Sequence, residues 1–444
     1  MASRDDAVAR DGAVGPDDVV TRDEATGRDE ATGRDEATGR EDAITRDDAV
    51  ARDEADPLRG FHDRFVVAGD GLIYLDGNSL GRLPRDTAAR VAEVVSTQWG
   101  ERLIRGWSEG WMELPTVLGD RLGSALLGAA PGQVAVADST TVCFYKLAAA
   151  ALSARPDRNQ IVTDVDNFPT DRYVLESLAL DHGLEIVWIT ADPHSGPDPG
   201  QVADAVTERT ALVTFSQVAY RSAFILDARD ITTIAHDAGA LALWDLSHSA
   251  GAIPVQLDAD GIDLAVGCTY KYLNGGPGAP AFLYVRHEHQ GELSQPIWGW
   301  LGRRDPFEMA PGYVAGEGIS AMLSGTPPVL ALTAAGVGVD LVIEAGIGAI
   351  REKSVALTEY AITLIDEWLV PLGCDVGSPR DARARGSHVA LVHPDARALS
   401  GRLIADGVIV DFRTPDVIRL GLSPLTTRFT DVFDGLARVR QLLS

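Results

Sequence analysis

LAVGCTYKYLNGGPGAPAFLYV, residues 264–285, decides how this chain is read. An apolar run, Leu264–Cys268, leads straight to Lys271; a glycine-rich turn follows, and a second apolar run, Ala281–Val285, leaves it. Short apolar runs bounded by turn residues read as buried strands. Glycines in such a turn let backbone approach a bulky ligand closely. Upstream the pattern repeats. Gln160–Asp164, Glu185–Thr190, Ala211–Ser216 and Ala240–Asp245 read as strands, and Asp171–His182, Pro199–Thr207 and Ile231–Ala238 as helices. Strands alternating with helices predict an α/β fold, a mainly parallel sheet covered on both faces. After Gly325-Thr326-Pro327-Pro328 comes a long helical region interrupted by glycines. Two helices and a few strands, including His388–Val392 and Val417–Gly421, then predict a smaller α+β domain.

A chain of 444 residues suits two packed domains rather than one core. Its net charge of −26, with no basic cluster, argues against nucleic acid or an anionic membrane surface as partner. No run of about 18 apolar residues is present, so no membrane span is expected. The N-terminus lacks an apolar signal region, so no secretory route is expected. Cys143, Cys268 and Cys374 are odd in number and at no metal-ligand spacing. They predict neither a disulfide framework nor a metal site, and a reducing, cytoplasmic setting.

Residues 1–56 differ from the rest. Arginine recurs at a six-residue spacing in units such as GRDEAT, and 18 acids against 8 arginines leave −10 of the −26 here. A period of six builds no apolar helix stripe, and alanine and threonine cannot fill a β-helix core. A disordered, solvated tail is expected, with partner binding as the other reading. The expected organisation is tail 1–56, a segment 57–85 packing on the small domain, a large domain 86–328 and a small domain 329–444.

Of 39 basic residues only Lys146, Lys271 and Lys353 are lysines, so chemistry that needs a primary amine has three candidates. A lysine in an apolar pocket can form a Schiff base, though Lys271 alone could equally lie on the surface beside its turn. Asp245 closes a strand one strand–helix–strand step earlier. There it could pair with a protonated pyridine nitrogen, or simply cap a helix. His248 follows within a turn, as support or as a buried core histidine. Asp138-Ser139-Thr140-Thr141 stands where a strand meets a helix and offers amides and hydroxyls to a phosphate, or an ordinary cap. Together these groups would line the carboxyl ends of parallel strands, where open α/β sheets bind ligands. They describe a site for pyridoxal 5'-phosphate (PLP).

These residues resemble kynureninase, a fold-type I PLP enzyme related to the class V aminotransferases. The likeness runs over roughly residues 58–443. It rests on YLDGNSLGRLP (74–84), NFPTDRY (167–173), WDLSHSAGAIPV (244–255), AVGCTYKYLNGGPGAPAFLYV (265–285), GWLG (299–302), SGTPPVL (324–330) and LGLSPLTTRFTDV (420–432). It implies a seven-stranded, mainly parallel sheet. Lys271 would carry the cofactor and act as acid and base at Cα, with Tyr270 and Asp171 as further catalytic groups. Asp245 would hold the pyridine nitrogen with His248 close by. Thr140, Thr141 and Tyr270 would take the phosphate, Phe168 would stack on the ring, and Ser216 would touch it. Trp300 and Thr326 would come from the neighbouring subunit of a homodimer. Arg419 would clamp the substrate α-carboxylate, with Asn78 beside it. Trp107, or Trp111 under a shifted alignment, would line the aryl pocket with Thr326 and favour kynurenine over its 3-hydroxy form. The implied reaction is hydrolytic Cβ–Cγ cleavage to anthranilate and L-alanine in tryptophan catabolism. The competing readings are another class V PLP enzyme (aminotransferase, desulfurase or epimerase) and a non-catalytic relative that binds a ligand or protein.

Overall fold

In a computed structural model that describes residues 44–67, 69 and 71–444, the first element is a helix, α1 (Arg46–Ala55). Thr45 caps it: its hydroxyl accepts from the Asp48 amide while the Asp48 carboxylate accepts from the Thr45 amide. The expectation of disorder through residue 56 therefore fails for the last repeats; residues 1–43 lie outside the described residues. Apolar periodicity misses α1 because only Ala49 is buried. Polar contacts hold the helix instead. Arg46 meets Asp434 at 2.8 Å, Asp53 accepts from the Phe429 and Thr430 amides, and Asp56 forms a buried ion pair with Lys353 at 2.6 Å.

The chain then crosses between two cores. Leu58 and Phe65 join the larger one, while β1 (Ile73–Tyr74) pairs with β11 (Val408–Ile409) of the smaller domain. Segment 57–85 thus packs on both domains rather than on the small one alone. Helices α2 (Thr87–Glu93) and α3 (Leu114–Leu122) lead into the main sheet. Its strands are β2 (Val134–Ala137), β3 (Gln160–Asp164), β4 (Glu185–Ile189), β5 (Thr210–Ser216), β6 (Leu241–Asp245), β7 (Leu264–Gly267) and β8 (Ala281–Val285), in the order β2-β8-β7-β6-β5-β3-β4. Only β8 runs against the others. Helices α4 (Thr140–Ser153), α5 (Pro169–His182), α6 (Pro199–Ala205) and α7 (Ala228–Asp237) connect the strands. Two apolar clusters form, one containing Val136, Phe215 and Trp244, the other Ala135, Leu212 and Leu243. Adjacent residues of one strand point to opposite faces, so both faces of this sheet are covered.

Helices α8 (Val329–Ala345) and α9 (Ile347–Leu364) are separated at Gly346. The expected boundary at residue 329 shifts, because Leu332, Ala335 and Val339 of α8 belong to the large-domain core. Gly338 explains the fit: a Cβ there would lie 2.1 Å from the Leu273 carbonyl, so its absence seats α8 against the turn after Lys271. The smaller core starts with Leu357 of α9. It is built on β9 (Asp375–Val376), β10 (His388–Val392), β12 (Asp411–Arg413) and β13 (Val417–Gly421), with α10 (Ala396–Ala405) and α11 (Phe429–Leu443). Cys374 is buried within this core, and Cys143 and Cys268 are buried too. Among the described residues no single helix is long and apolar enough to cross a membrane.

Candidate active site

The parallel strands deliver the site. The chain leaves β3 into Asn167–Asp171, β5 ends at Ser216, β6 at Asp245, and β7 runs out into Tyr270 and Lys271. Gly81 is essential to this turn: its amide donates to the Tyr270 carbonyl at 2.7 Å, and a Cβ there would lie 2.3 Å from the Lys271 carbonyl.

The three lysines separate cleanly. Lys146 is fully buried and bound to Asp138 at 2.6 Å, and Lys353 is bound to Asp56. Lys271, also buried, has no carboxylate partner among the described residues; its Nζ lies 3.3 Å from His248 Nε2 and 5.8 Å from the centre of the Phe168 ring. Burial, the Lys271 charge and Arg419 push His248 well below the ordinary imidazole value. The ring beside the amine is therefore neutral.

Asp171 and Asp245 form a buried acidic pair. Burial and the neighbouring Asp245 push Asp171 well above the usual carboxylate range, against the pull of Lys271. One Asp245 oxygen accepts from the Ser247 amide at 2.8 Å, whereas Asp171 Oδ2 has no partner. A buried oxygen without a partner costs about 1–3 kcal/mol, which a ligand donor recovers. Ser216 Oγ donates to Asn167 Oδ1 at 2.8 Å, and Phe168 meets Tyr220 edge-on at 5.5 Å. The Tyr270 hydroxyl is pushed above its ordinary value by burial and by Cys268, so it stays a donor. At the start of α4, Ser139 caps the Val142 amide, while the amides of Thr140 and Thr141 have no acceptor among the described residues. An amine able to condense with an aldehyde, an orphaned acid and an open helix start fit PLP at its aldehyde, ring nitrogen and phosphate.

Arg419 lies on β13 opposite Asp411 of β12. It is buried, and it donates to Asp411 through Nε at 2.7 Å and through Nη2, to the Tyr220 carbonyl at 2.7 Å, and to Ser79 Oγ at 3.0 Å. With its oxygen turned to the guanidinium, the buried Asn78 amide accepts from Nη1 and Nε at 3.2 Å. Tyr220 thus joins this clamp to Phe168 and the lysine.

Trp107, Trp300 and Thr326 gather elsewhere. Trp300 Nε1 donates to Thr326 Oγ1 at 3.3 Å, and Trp107 packs edge-on against both Trp300 and Trp111. Among the described residues, no hydrogen bond or ring contact ties this group to Lys271 within the chain.

Sequence reasoning missed several neighbours. His388 on β10 is fully buried, 5.6 Å from His248, with both ring nitrogens unpartnered and its pKa pushed down to about 3 by burial and Arg419. Asp411, Arg413, Ser79, Asn167 and Tyr220 were missed too. Asp411 and Arg413 carried a signal, since the turn Thr414-Pro415-Asp416 marks a hairpin that pairs them with the 417–421 strand. Nothing in the local sequence singles out His388.

Residues 350–439 match the family model described as the kynureninase C-terminal domain. The chain is 43% identical over 395 residues to the kynureninase of Burkholderia pseudomallei (strain 1106a), covering 87% of this chain and 93% of that protein. It is 40% identical, with the same coverage, to that of Pseudomonas fluorescens. Among solved structures, the cysteine desulfurase of Thermococcus onnurineus NA1 superposes with a TM-score of 0.73 at 19% identity, covering 84% of this chain and 94% of that one. The cystine C–S lyase C-DES, in complex with cysteine persulfide, gives 0.74 at 16% identity, covering 84% and 98%. These two likenesses establish the fold: that of the fold-type I PLP enzymes.

Proposed function

This chain belongs to the kynureninase family, and from that premise we propose how its own residues carry out PLP-dependent hydrolysis of the Cβ–Cγ bond of L-kynurenine. The cofactor is pyridoxal 5'-phosphate, the substrate is a small amino acid, and the products are anthranilate and L-alanine. The observation that carries the assignment of roles is Lys271, the one lysine buried without a counter-ion.

Lys271 would hold the cofactor through Nζ, Asp245 and Asp171 the ring nitrogen, and the Thr140 and Thr141 amides and hydroxyls, with the Tyr270 hydroxyl, the phosphate. Phe168 would cover the ring and Ser216 touch its edge. When bound, PLP supplies an electron sink for the bond being broken at the substrate. Asp245 would pair with the ring nitrogen, with the Asp171 carboxyl, held well above the usual range by burial and by Asp245, beside it. Arg419 holds the α-carboxylate, with Asn78 fixing its fork. Once the substrate amine takes its place, Lys271 Nζ moves the proton at Cα, and neutral His248 beside it does not compete for that proton. Water would add to the γ-carbonyl and the Cβ–Cγ bond break, the γ-carbon leaving as the anthranilate carboxyl and the electron pair staying on Cβ; Tyr270 would give Cβ its proton and regain one from the added water.

The aryl group would meet Trp107, Trp300 and Thr326 supplied across a homodimer interface. In support, these residues cluster away from Lys271, and Trp298, Phe307 and Met309 nearby are 61%, 62% and 71% exposed, apolar area suited to a second copy. Three buried free thiols favour a cytoplasmic setting.

Borohydride reduction of the purified holoenzyme, followed by peptide mapping, should label Lys271; a label elsewhere overturns the assignment. Lys271→Ala should lower anthranilate release, followed by its fluorescence, by about 10⁴-fold. Wild-type turnover in that variant would do the same damage.

A further inference from the structure

The clamp has a problem of occupancy. Arginine has five N–H donors, and those of Arg419 are all engaged: Nε and Nη2 on Asp411, Nη2 also on Ser79, Nη1 on the Tyr220 carbonyl and the Asn78 amide oxygen. An incoming α-carboxylate must displace an acceptor. Asp411 is the one it resembles, because that carboxylate already takes the planar two-pronged edge of the guanidinium.

The neighbouring strand position supplies the way out. Asp411 and Arg413 are two residues apart on β12 and share a face. Arg413 Nη2 lies 2.7 Å from Asp411 Oδ2, while Arg413 Nε is buried with no partner. Among the described residues the one donor to the Asp411 carboxylate besides the two arginines is Ser79 Oγ, at 2.9 Å. Asp76 also faces the group and is pushed up to about 6 by burial and by Asp411, whereas Asp411 itself is held below the usual carboxylate range, against burial, by Arg419 and Arg413.

Building on the reading of Arg419 as the carboxylate clamp, we propose that Arg413 is a positioning residue for substrate binding. It takes over Asp411, through its free Nε–H, when the α-carboxylate occupies Arg419. Two guanidinium groups then face two carboxylates. Without Arg413, one guanidinium would serve both, and the substrate would pay the difference.

The test uses holoenzyme. Arg413→Gln should raise the KM for L-kynurenine and the inhibition constant of L-alanine roughly tenfold, with kcat within about twofold of wild type. Inhibition by 2-aminoacetophenone, which has the aryl ketone and no carboxylate, should not change. Arg413→Lys, which keeps the charge and loses the fork, should lie between. Adding Asp411→Asn to Arg413→Gln should bring KM back toward wild type, since no displaced carboxylate then needs a cation; a merely structural arginine would show no such rescue. Wild-type KM in both Arg413 variants overturns the proposal, as does a fall in kcat with KM unmoved. Arg419→Gln separates the two claims. If it weakens L-alanine and Arg413→Gln does not, only the role of Arg413 falls; if it leaves L-alanine binding intact, the clamp reading falls first.

Discussion

Two pairs of histidines sit at opposite ends of this protein's chemistry. At the amino-terminal ends of β6 and β7, His236 and His289 share the buried Asp263, which accepts from their Nε2 atoms at 2.9 Å and from the Ala242 amide at 2.8 Å. At the carboxyl ends, His248 faces Lys271 and His388, and neither imidazole has a carboxylate partner. The lower pair is pushed up by hydrogen bonds to Asp263; the upper pair is pushed down by burial and nearby cations. One sheet thus carries an end whose buried carboxylate is satisfied by two imidazoles and an amide, and an end whose buried acid and imidazole are not. The first holds the fold together, and the second stores polar groups that only a ligand completes, as ligand sites commonly do.

Exchanging the buried acids of the two ends is the strongest way to break this comparison. Asp171→Asn should lower turnover by roughly 10²-fold and leave the thermal midpoint no lower than wild type, because it removes a carboxyl with an orphaned oxygen. Asp263→Ala should do the reverse. It strands the Ala242 amide and two imidazoles, and with His236 partly exposed the expected cost is about 2 kcal/mol by urea unfolding, with turnover per folded molecule unchanged. If Asp263→Ala lost turnover without losing stability, the division between the two ends would be wrong.

The pH dependence of stability sharpens the same contrast, because the two pairs have opposite signs. His236 and His289 are raised, so their contribution is complete below the ordinary imidazole value of about 6.5 and is lost as pH rises through their folded values. Asp263 is lowered, so its share is present above about 4 and fails in acid. His248 and His388 are lowered, so what they contribute is present above about 6.5 and is lost as pH falls. The stability gap between wild type and Asp263→Ala should therefore be widest near pH 5–6 and narrow by pH 8. A gap that ignores pH would mean the imidazoles do not titrate against Asp263.

The same contrast explains what the sequence could reveal. Five of the six strands and the Lys271 turn were legible because strands covered on both faces are continuous apolar runs, and a lysine at the end of such a run stands out; the sixth, β4, is only partly buried. Asp245 and His248 were legible because they stand at and just after the carboxyl end of a strand, whereas Asp171, inside a helix, came only with the family resemblance. His388 was not, since it reaches the site through cross-strand register and domain packing, which no local pattern records; for Asp411 and Arg413 the hairpin turn marks the strand pairing but not its place at the site. The same holds for α1, whose attachment depends on Asp53 meeting amides 376 and 377 positions away. Asp263 was equally invisible as an anchor, because its two histidines come from an α-helix and a short 3-10 turn on either side of it.

The smallest effect expected is at His388, and it tests whether the upper end really trades stability for binding. Replacing a fully buried imidazole that makes no hydrogen bond with an apolar side chain of similar size removes two unsatisfied atoms. His388→Leu should therefore leave the urea midpoint unchanged or raise it by about 1 kcal/mol equivalent, after allowing for imperfect packing. The gain should be larger at pH 5 than at pH 8, because the wild-type imidazole resists protonation in the fold and accepts it when unfolded. If His388→Leu instead cost as much stability as Asp263→Ala, this imidazole would be a structural member of the fold, and the two ends of the sheet would be built alike.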